Sequence, residues 1–269
     1  MNRERLLFAF DLDGTTVGHD FTISPAVRIA IARAAAEGHA LTFLTGRPPW
    51  TTTPVLDDLG LKCLYACHQG ALVIDPANPR PLVDIRIDAD TSRRLVERAR
   101  TVPGATVIAY GQDRAYLAQP GEPLSPYYRE PPSSAVALDA YAGEPLHKVV
   151  IIGSVPATLE GQLVALPGVG QGIRLGRSLE LLPPGADKGA ALAVIARHLD
   201  FPRERVVAFG DNDNDVSMLR WAGVGVAMGQ AAQGVKSVAN RTAPTVEEDG
   251  VATVIEALLG SLRTGAHHR

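Results

Sequence analysis

A doubly wound parallel α/β sheet, interrupted by a second and smaller α/β unit, is the fold class predicted by this 269-residue sequence. Three observations carry that prediction. Short apolar runs at 6–10, 39–44 and 205–209 read as strands buried on both faces. Stretches of helical length with their own start and stop signals follow these runs, and that alternation builds parallel sheets. The pattern breaks off near residue 83 and resumes after 182, which predicts a core formed by 1–83 and 183–269 and an inserted α/β domain over 84–182.

The elements follow in order. The run at 6–10 ends in Asp11-Leu12-Asp13-Gly14, where glycine supplies the freedom to turn. Ser24 caps a helix with Pro25 at its first position, and Gly38 ends it. The strand at 39–44 ends in Thr45-Gly46-Arg47. A weaker helix is expected over 51–59, a strand over 63–67, and a hairpin through His68-Gln69-Gly70-Ala71 into 72–75. The insert reads as a strand at 85–88, a helix at 89–100 and a hairpin of 105–110 with 114–118. A long proline-, serine- and tyrosine-rich loop covers 119–144. A strand at 147–152, a helix at 156–166 and strands around 173 and 179–182 complete the insert. The first pattern then returns with a helix at 187–199 carrying Lys188 in its first turn. A strand at 205–209 leads into Gly210-Asp211-Asn212-Asp213-Asn214-Asp215. Helices at 216–221 and 250–262 and a strand at 224–228 finish the chain.

With 46% hydrophobic and 20% charged residues and a net charge of −3, the composition is that of a soluble globular protein. No basic face points to nucleic acid or an anionic membrane as partner. The apolar runs are shorter than a membrane span and the N-terminus has no secretory pattern, so a cytoplasmic protein is expected. Cys63 and Cys67 lack the spacing and the further ligands of a zinc or dithiol site, and read as buried free thiols in an apolar segment.

The predicted strand ends share one property: each carries residues suited to phosphate and metal. In an open parallel sheet such ends lie along one edge, where ligands bind. Taken singly, Asp-x-Asp-Gly is an ordinary turn, Thr-Gly-Arg a loop with a solvated arginine, and Lys188 a helix surface residue. Taken together and in order they suggest phosphoryl transfer. Residues two apart on an extended backbone face the same side, so Asp11 and Asp13 can share a ligand. A phosphomonoester dianion repels a carboxylate nucleophile until a cation neutralises the site. Asp11 and Asp211 are candidates to hold that cation, and oxygen-only ligation suits Mg²⁺. Asp11 is then the candidate nucleophile and Asp13 the acid and base. The Thr45 hydroxyl, the Gly46 amide and the Lys188 ammonium are candidates for the equatorial oxygens.

The order DLDGT, TGR, the lysine of LELLPPGADKGAAL, then GDNDNDVSML, VAMGQA and EEDGVA resembles the haloacid dehalogenase superfamily, specifically the Cof-type phosphatases with a large α/β cap. The resemblance covers almost all of both core segments. It implies a Rossmann-like core with an inserted cap of the IIB kind, and an Mg²⁺-dependent phosphatase working through an aspartyl phosphate on Asp11. It also implies that the Asp13 main-chain carbonyl and Asp211 bind the metal and that Asn214 binds substrate phosphate. Asp215 would lie near the metal and orient Lys188 or a water. Arg47, just after the second motif, is a candidate to line the entrance and support the site. The sequence departs from the family at Gln69, where Asn-Gly-Ala is usual and Gln69-Gly70-Ala71 stands.

A cap that closes over the site would choose the leaving group, which makes Tyr110, Tyr127, Tyr128, Arg129, His147 and Trp50 candidate substrate contacts. By analogy with the family the expected partner is a small phosphomonoester such as a sugar phosphate, bound by a monomer or small homo-oligomer. A phosphotransferase or phosphomutase, and a phospho-acceptor without turnover, are the alternatives. Retention of Asp13 argues against the phospho-acceptor.

Overall fold

The computed structural model describes residues 5–117, 128 and 133–264. These fall into two compact units, one drawn from Met1–Thr45, Leu56–Leu82 and Asp187–Arg269, the other from Gly46–Val55 and Val83–Ala186. Residues 46–55, adjacent in sequence to the first unit's second strand, thus belong by their contacts to the second unit.

In the first unit the strands are β1 (Leu7–Phe10), β2 (Ala40–Leu44), β3 (Tyr65–Cys67), β4 (Leu72–Ile74), β12 (Val206–Gly210), β13 (Val224–Ala227) and β14 (Arg241–Thr242). They lie in the order β14-β13-β12-β1-β2-β3-β4. All pairings in this series are parallel except β3 with β4. β1 lies at the centre, and the order reverses on either side of it, the arrangement of a doubly wound sheet. Every residue of β1 and β12 is buried, as their continuous apolar runs require. Phe8 and Phe10 point to one face of the sheet, two residues apart. There Phe10 packs against Phe209 at 5.2 Å and Phe43 at 5.3 Å between ring centroids. Each such ring removed from water contributes about 1.5–3 kcal/mol.

Helix α1 (Pro25–Ala36) starts as its sequence dictates, with the Ser24 hydroxyl accepting from the Val27 N–H at 3.2 Å. Helix α2 (Pro49–Asp58) takes the place expected for the weaker helix after the second strand. The helices α5 (Lys188–His198), α6 (Val216–Trp221), α7 (Gln233–Lys236) and α8 (Gly250–Thr264) complete the first unit. Among the described residues no helix is long and apolar enough to cross a membrane.

The second unit is built on a sheet in the order β10-β11-β9-β6-β7-β8. Its strands are β6 (Thr106–Tyr110), β7 (Ala115–Leu117), β8 (Ala135–Ala137), β9 (Lys148–Ile152), β10 (Gln171–Leu175) and β11 (Ser178–Leu182). The expected strand at 85–88 is not present; the chain pairs instead at β5 (Val83–Asp84) and makes a single bridge from Ile87 to Leu146. β8 is a strand the sequence did not announce. It lies in the loop-like stretch, has three residues, and pairs parallel to β7.

Alternation along β6, β9 and β11 gives this sheet two different faces. Val107, Ala109, Val149, Ile151, Leu179 and Leu181 pack with Leu95 and Leu163 of α3 (Ala89–Ala99) and α4 (Ala157–Val164). The other face carries Ile108, Tyr110 and Val150, with Trp50 and Tyr128 packed on them. Lys148 and Glu180 share that face, each 2% exposed, and form an ion pair at 2.9 Å. The Lys148 ammonium also donates to the Gly46 carbonyl at 2.8 Å and lies 4.9 Å from the Tyr110 ring centre. The Tyr128 hydroxyl donates to Glu180 at 3.1 Å.

His147 is buried, with Nε2 2.9 Å from an Asp84 carboxylate oxygen and Nδ1 3.3 Å from the Gly111 carbonyl. Burial holds its proton affinity below the ordinary value of 6.5, against the pull of Asp84. The unfolded chain therefore takes up this proton first as pH falls below 6.5, and stability drops over that window. The Tm of the wild type, taken relative to that of His147→Gln, is expected to fall between pH 7.5 and 5.5. Equal slopes would place the acid sensitivity elsewhere.

Candidate active site

Asp11 follows the last residue of β1 directly, and its N–H still donates to the Phe209 carbonyl of β12 at 3.0 Å. The ladder therefore sets Asp11 beside the end of β12, where Asp211 follows Gly210. Between Asp11 and Val17 the chain closes a tight loop. The Val17 N–H donates to the Leu12 carbonyl at 2.7 Å and the Thr16 hydroxyl to the Asp11 carbonyl at 2.7 Å. Gly14 stands at φ +83°, and a Cβ there would lie 2.6 Å from an Asp211 carboxylate oxygen. Only glycine lets the loop pass so close to that carboxylate. The Gln230 side-chain amide donates to the Gly14 carbonyl at 2.5 Å, tying the loop down from the far side.

Lys188 opens α5, and Asp187 caps that helix by accepting from the Ala190 N–H at 2.8 Å. A cation in the first turn opposes the helix dipole, so its place must be justified by something other than the helix. The justification is two carboxylates. The Lys188 ammonium, 1% exposed, donates to Asp11 and to Asp215 at 2.6 Å each. The other oxygen of Asp215 accepts from the N–H groups of Asp211 and Asn212 at 2.9 and 3.1 Å, which folds the turn after β12 into a short 3-10 helix. Asp211 accepts from the Thr15 hydroxyl at 3.2 Å.

Asp11, Asp211 and Asp215 each present an oxygen within 4.8 Å of the others, an all-carboxylate set of the kind that could hold a metal ion. Charge supports that reading. Burial, with Asp215 beside it, pushes the Asp11 carboxyl well above the ordinary carboxylate range, and Lys188 only partly offsets this. Burial and Asp215 likewise push Asp211 up to about 7. Lys188 keeps its proton because Asp11 and Asp215 outweigh the cost of its burial. One ammonium faces a cluster of carboxylates, and a hard cation is what that excess negative charge calls for.

The first unit brings Asp11, Asp211, Asp215 and Lys188 into one cluster. Asp13, two residues on, is partly buried and bridges to Val17. Thr45 is buried at the end of β2, its N–H donating to the Ala66 carbonyl at 2.9 Å. Asn214, in the 3-10 turn, donates through Nδ2 to the Gln69 side-chain oxygen at 3.0 Å. Gly46 and Arg47 are partly buried and are counted with the second unit, where the Gly46 carbonyl meets Lys148. Of the candidate substrate contacts, His147 is taken up by Asp84 and Gly111, Tyr110 and Trp50 stack at 6.4 Å, and Tyr127 and Arg129 lie outside the described residues. Thr15 and Lys148 are partners that sequence reasoning did not single out, and Gln69 stood out in the sequence only as a departure from the family pattern, since each acts on a residue far along the chain.

A family model for haloacid dehalogenase-like hydrolases matches residues 8–255. The chain belongs to that family. It is 30% identical over 273 residues to the 5-amino-6-(5-phospho-D-ribitylamino)uracil phosphatase YitU of Bacillus subtilis, covering 95% of this chain and 98% of that protein. Among solved structures, a haloacid dehalogenase-like hydrolase from Bacteroides thetaiotaomicron superposes with a TM-score of 0.81 at 29% identity, over 94% of this chain and 99% of the other. A HAD subclass IIB sugar phosphatase shares the fold at a TM-score of 0.81 and 24% identity, over 94% and 98% of the two chains. This haloacid dehalogenase-like hydrolase is an enzyme of the phosphoric monoester hydrolase kind, with a doubly wound core and an inserted α/β cap.

Removing the lysine of a buried charge cluster leaves uncompensated carboxylates. Lys188→Met is expected to lower the unfolding free energy by about 3–5 kcal/mol in metal-free buffer at pH 8. The double variant Lys188→Met/Asp11→Asn should lose less than the sum of the two single changes. Urea denaturation of the four proteins checks both, and strict additivity would mean the two side chains do not interact.

Proposed function

We propose that this enzyme hydrolyses small phosphomonoesters, with Mg²⁺ as cofactor and Asp11 as the group that accepts the phosphoryl. The observation that supports this most is the buried Lys188 ammonium shared between Asp11 and Asp215, with Asp211 alongside. The ammonium holds Asp11 through one carboxylate oxygen at 2.6 Å. Asp11, the Asp13 main-chain carbonyl and Asp211 would hold the cation. When bound, Mg²⁺ neutralises phosphate charge and so admits a carboxylate nucleophile.

The residues divide the work as follows. A carboxylate oxygen of Asp11 attacks phosphorus and the ester oxygen departs, taking a proton from Asp13. Asp13, now ionised, removes a proton from water, whose oxygen attacks the phosphorus of the aspartyl phosphate. Inorganic phosphate leaves and Asp11 is regenerated. The Thr45 hydroxyl, the Gly46 amide, the Asn214 amide and Lys188 hold the equatorial oxygens, where charge spreads in the transition state. Asp215 fixes Lys188 by its short contact and fixes the turn carrying Asp211 through two backbone N–H groups.

We read the segment 84–182, with residues 46–55 packed on it, as the cap that selects the leaving group. On one face of its sheet the partly buried rings of Tyr128 and Trp50 pack over the buried Tyr110, and these two rings suit a flat or polyhydroxylated alcohol. The Bacillus subtilis relative's phosphoribityl substrate agrees with a polyol phosphate.

A panel of sugar, polyol and nucleoside monophosphates with Mg²⁺ tests this reading. Phosphate release is expected from the wild type and at least about 10³-fold less from Asp11→Asn with every ester, as loss of a nucleophile entails. Turnover retained by Asp11→Asn would remove Asp11 from the nucleophile's place.

A further inference from the structure

At the end of β3 three successive residues take positive φ: His68 at +51°, Gln69 at +58° and Gly70 at +93°. A side-chain-bearing residue enters this region at a cost, and two in a row at a strand end mark a shape that its surroundings enforce. Those surroundings are specific. The Gln69 N–H donates to the Thr45 carbonyl at 3.0 Å, and Gly70 passes so close to the start of α5 that a Cβ would lie 2.4 Å from the Asp187 carbonyl oxygen. The strained segment thus lies between the end of β2 and the residue that caps the Lys188 helix. Its buried product is the Gln69 side chain, 1% exposed, whose oxygen accepts from Asn214 Nδ2 at 3.0 Å.

Asn214 is thereby left in an unusual state. Its Oδ1 is buried and has no hydrogen-bond partner among the described residues. A carboxamide in such a place ordinarily turns over to satisfy its oxygen. Here turning over is coupled to Gln69, because the two amides pair end to end. If both reverse, Gln69 Nε2 donates to Asn214 Oδ1, and the Asn214 amide nitrogen turns away from Gln69 with both its hydrogens uncommitted. The pair therefore has two arrangements. One commits an Asn214 hydrogen to Gln69 and leaves Oδ1 orphaned; the other satisfies Oδ1 and offers two donors to an anion.

We propose that Gln69 is a positioning residue for phosphate recognition, one that sets which end of the Asn214 amide faces the anion and reverses together with it when phosphate binds. This rests on the reading of the site as a phosphatase centre with Asn214 on the phosphate, and goes beyond it by giving Gln69 a task. A phosphate oxygen accepts hydrogen bonds and repels an amide oxygen, so the bound anion selects the reversed pair. Gln69 then supplies the donor that Asn214 Oδ1 lacks without it. A side chain of similar length with no hydrogen-bonding end fills the same volume but leaves Asn214 free to present either end.

The test is an epistasis cycle on the full-length enzyme with Mg²⁺, using inorganic phosphate as the probe and a phosphomonoester as the substrate. Gln69→Met, Asn214→Ala and the double variant are compared with the wild type in phosphate Kd by calorimetry and in kcat and KM. Gln69→Met is expected to weaken phosphate about tenfold, the scale of one hydrogen bond to a charged group, with an unchanged Tm. In the Asn214→Ala background the same change should cost nothing further. A full tenfold loss that persists without Asn214 would overturn the proposal by showing that Gln69 acts on something else, and so would wild-type phosphate affinity in Gln69→Met. Should Gln69→Met fold poorly, Gln69→Leu in the Asn214→Ala background decides the same question by comparison with Asn214→Ala alone. A wild type that hydrolyses phosphomonoesters, with an inactive Asp11→Asn and a silent Gln69→Met, would leave the phosphatase reading standing and sink only this inference.

Discussion

A buried ammonium between two buried carboxylates sets the terms for the rest of the core. Lys188 is within 2.6 Å of both Asp11 and Asp215, and these three groups come from the end of β1, the start of α5 and the turn after β12. No single element gains from the arrangement. The helix gives up dipole energy by starting with a cation, and both carboxylates give up water. It persists because the parallel ladder between β1 and β12 brings Asp11 and the Asp211 turn to the same edge, and because Phe10 and Phe209 stack beneath that edge. Packing supplies the free energy that the cluster costs, a common relation between a rigid sheet and the loops at its carboxyl ends.

Much of this was legible in the sequence, for reasons that can be named. β1 and β12 are uninterrupted apolar runs and β2 nearly so, α1 carries both Ser24 and Pro25 at its start, and three of the four core motifs follow a strand end directly, while Lys188 opens α5. What escaped falls into two kinds. β8 has three residues, is half-exposed and lies among prolines and serines, so it has neither length nor alternation to betray it. Residues 46–55 follow β2 directly yet pack with the second unit, and sequence adjacency points the other way. The second kind is pairwise. Asn214 and Gln69 stand 145 positions apart, and Lys148 and Glu180 stand 32 apart, so nothing local signals either contact. Gln69 was visible as a departure from the family pattern, but its partner was not.

The second unit repeats the lesson on a different scaffold. One face of its sheet is an ordinary aliphatic core under two helices, while the other carries a lysine, a glutamate and three aromatic rings. The alternation of β9, Lys148-Val149-Val150-Ile151-Ile152, already contains both faces, since Lys148 and Val150 point away from Val149 and Ile151. A buried ion pair of this sort adds specificity of position more than stability. The position it specifies includes the Gly46 carbonyl, one residue beyond the first unit's Thr45.

The identity of the carboxylate proposed to take the phosphoryl group can be read directly. An acyl phosphate is reduced by borohydride to an alcohol, so quenching the enzyme with borohydride during Mg²⁺-supported turnover and mapping its peptides by mass spectrometry marks the residue that carried phosphate. The proposed mechanism predicts homoserine at position 11, with Asp13, Asp211 and Asp215 unchanged. Reduction at Asp211 or Asp215, with Asp11 intact, would contradict the role assigned to the buried lysine and to the strand end it serves.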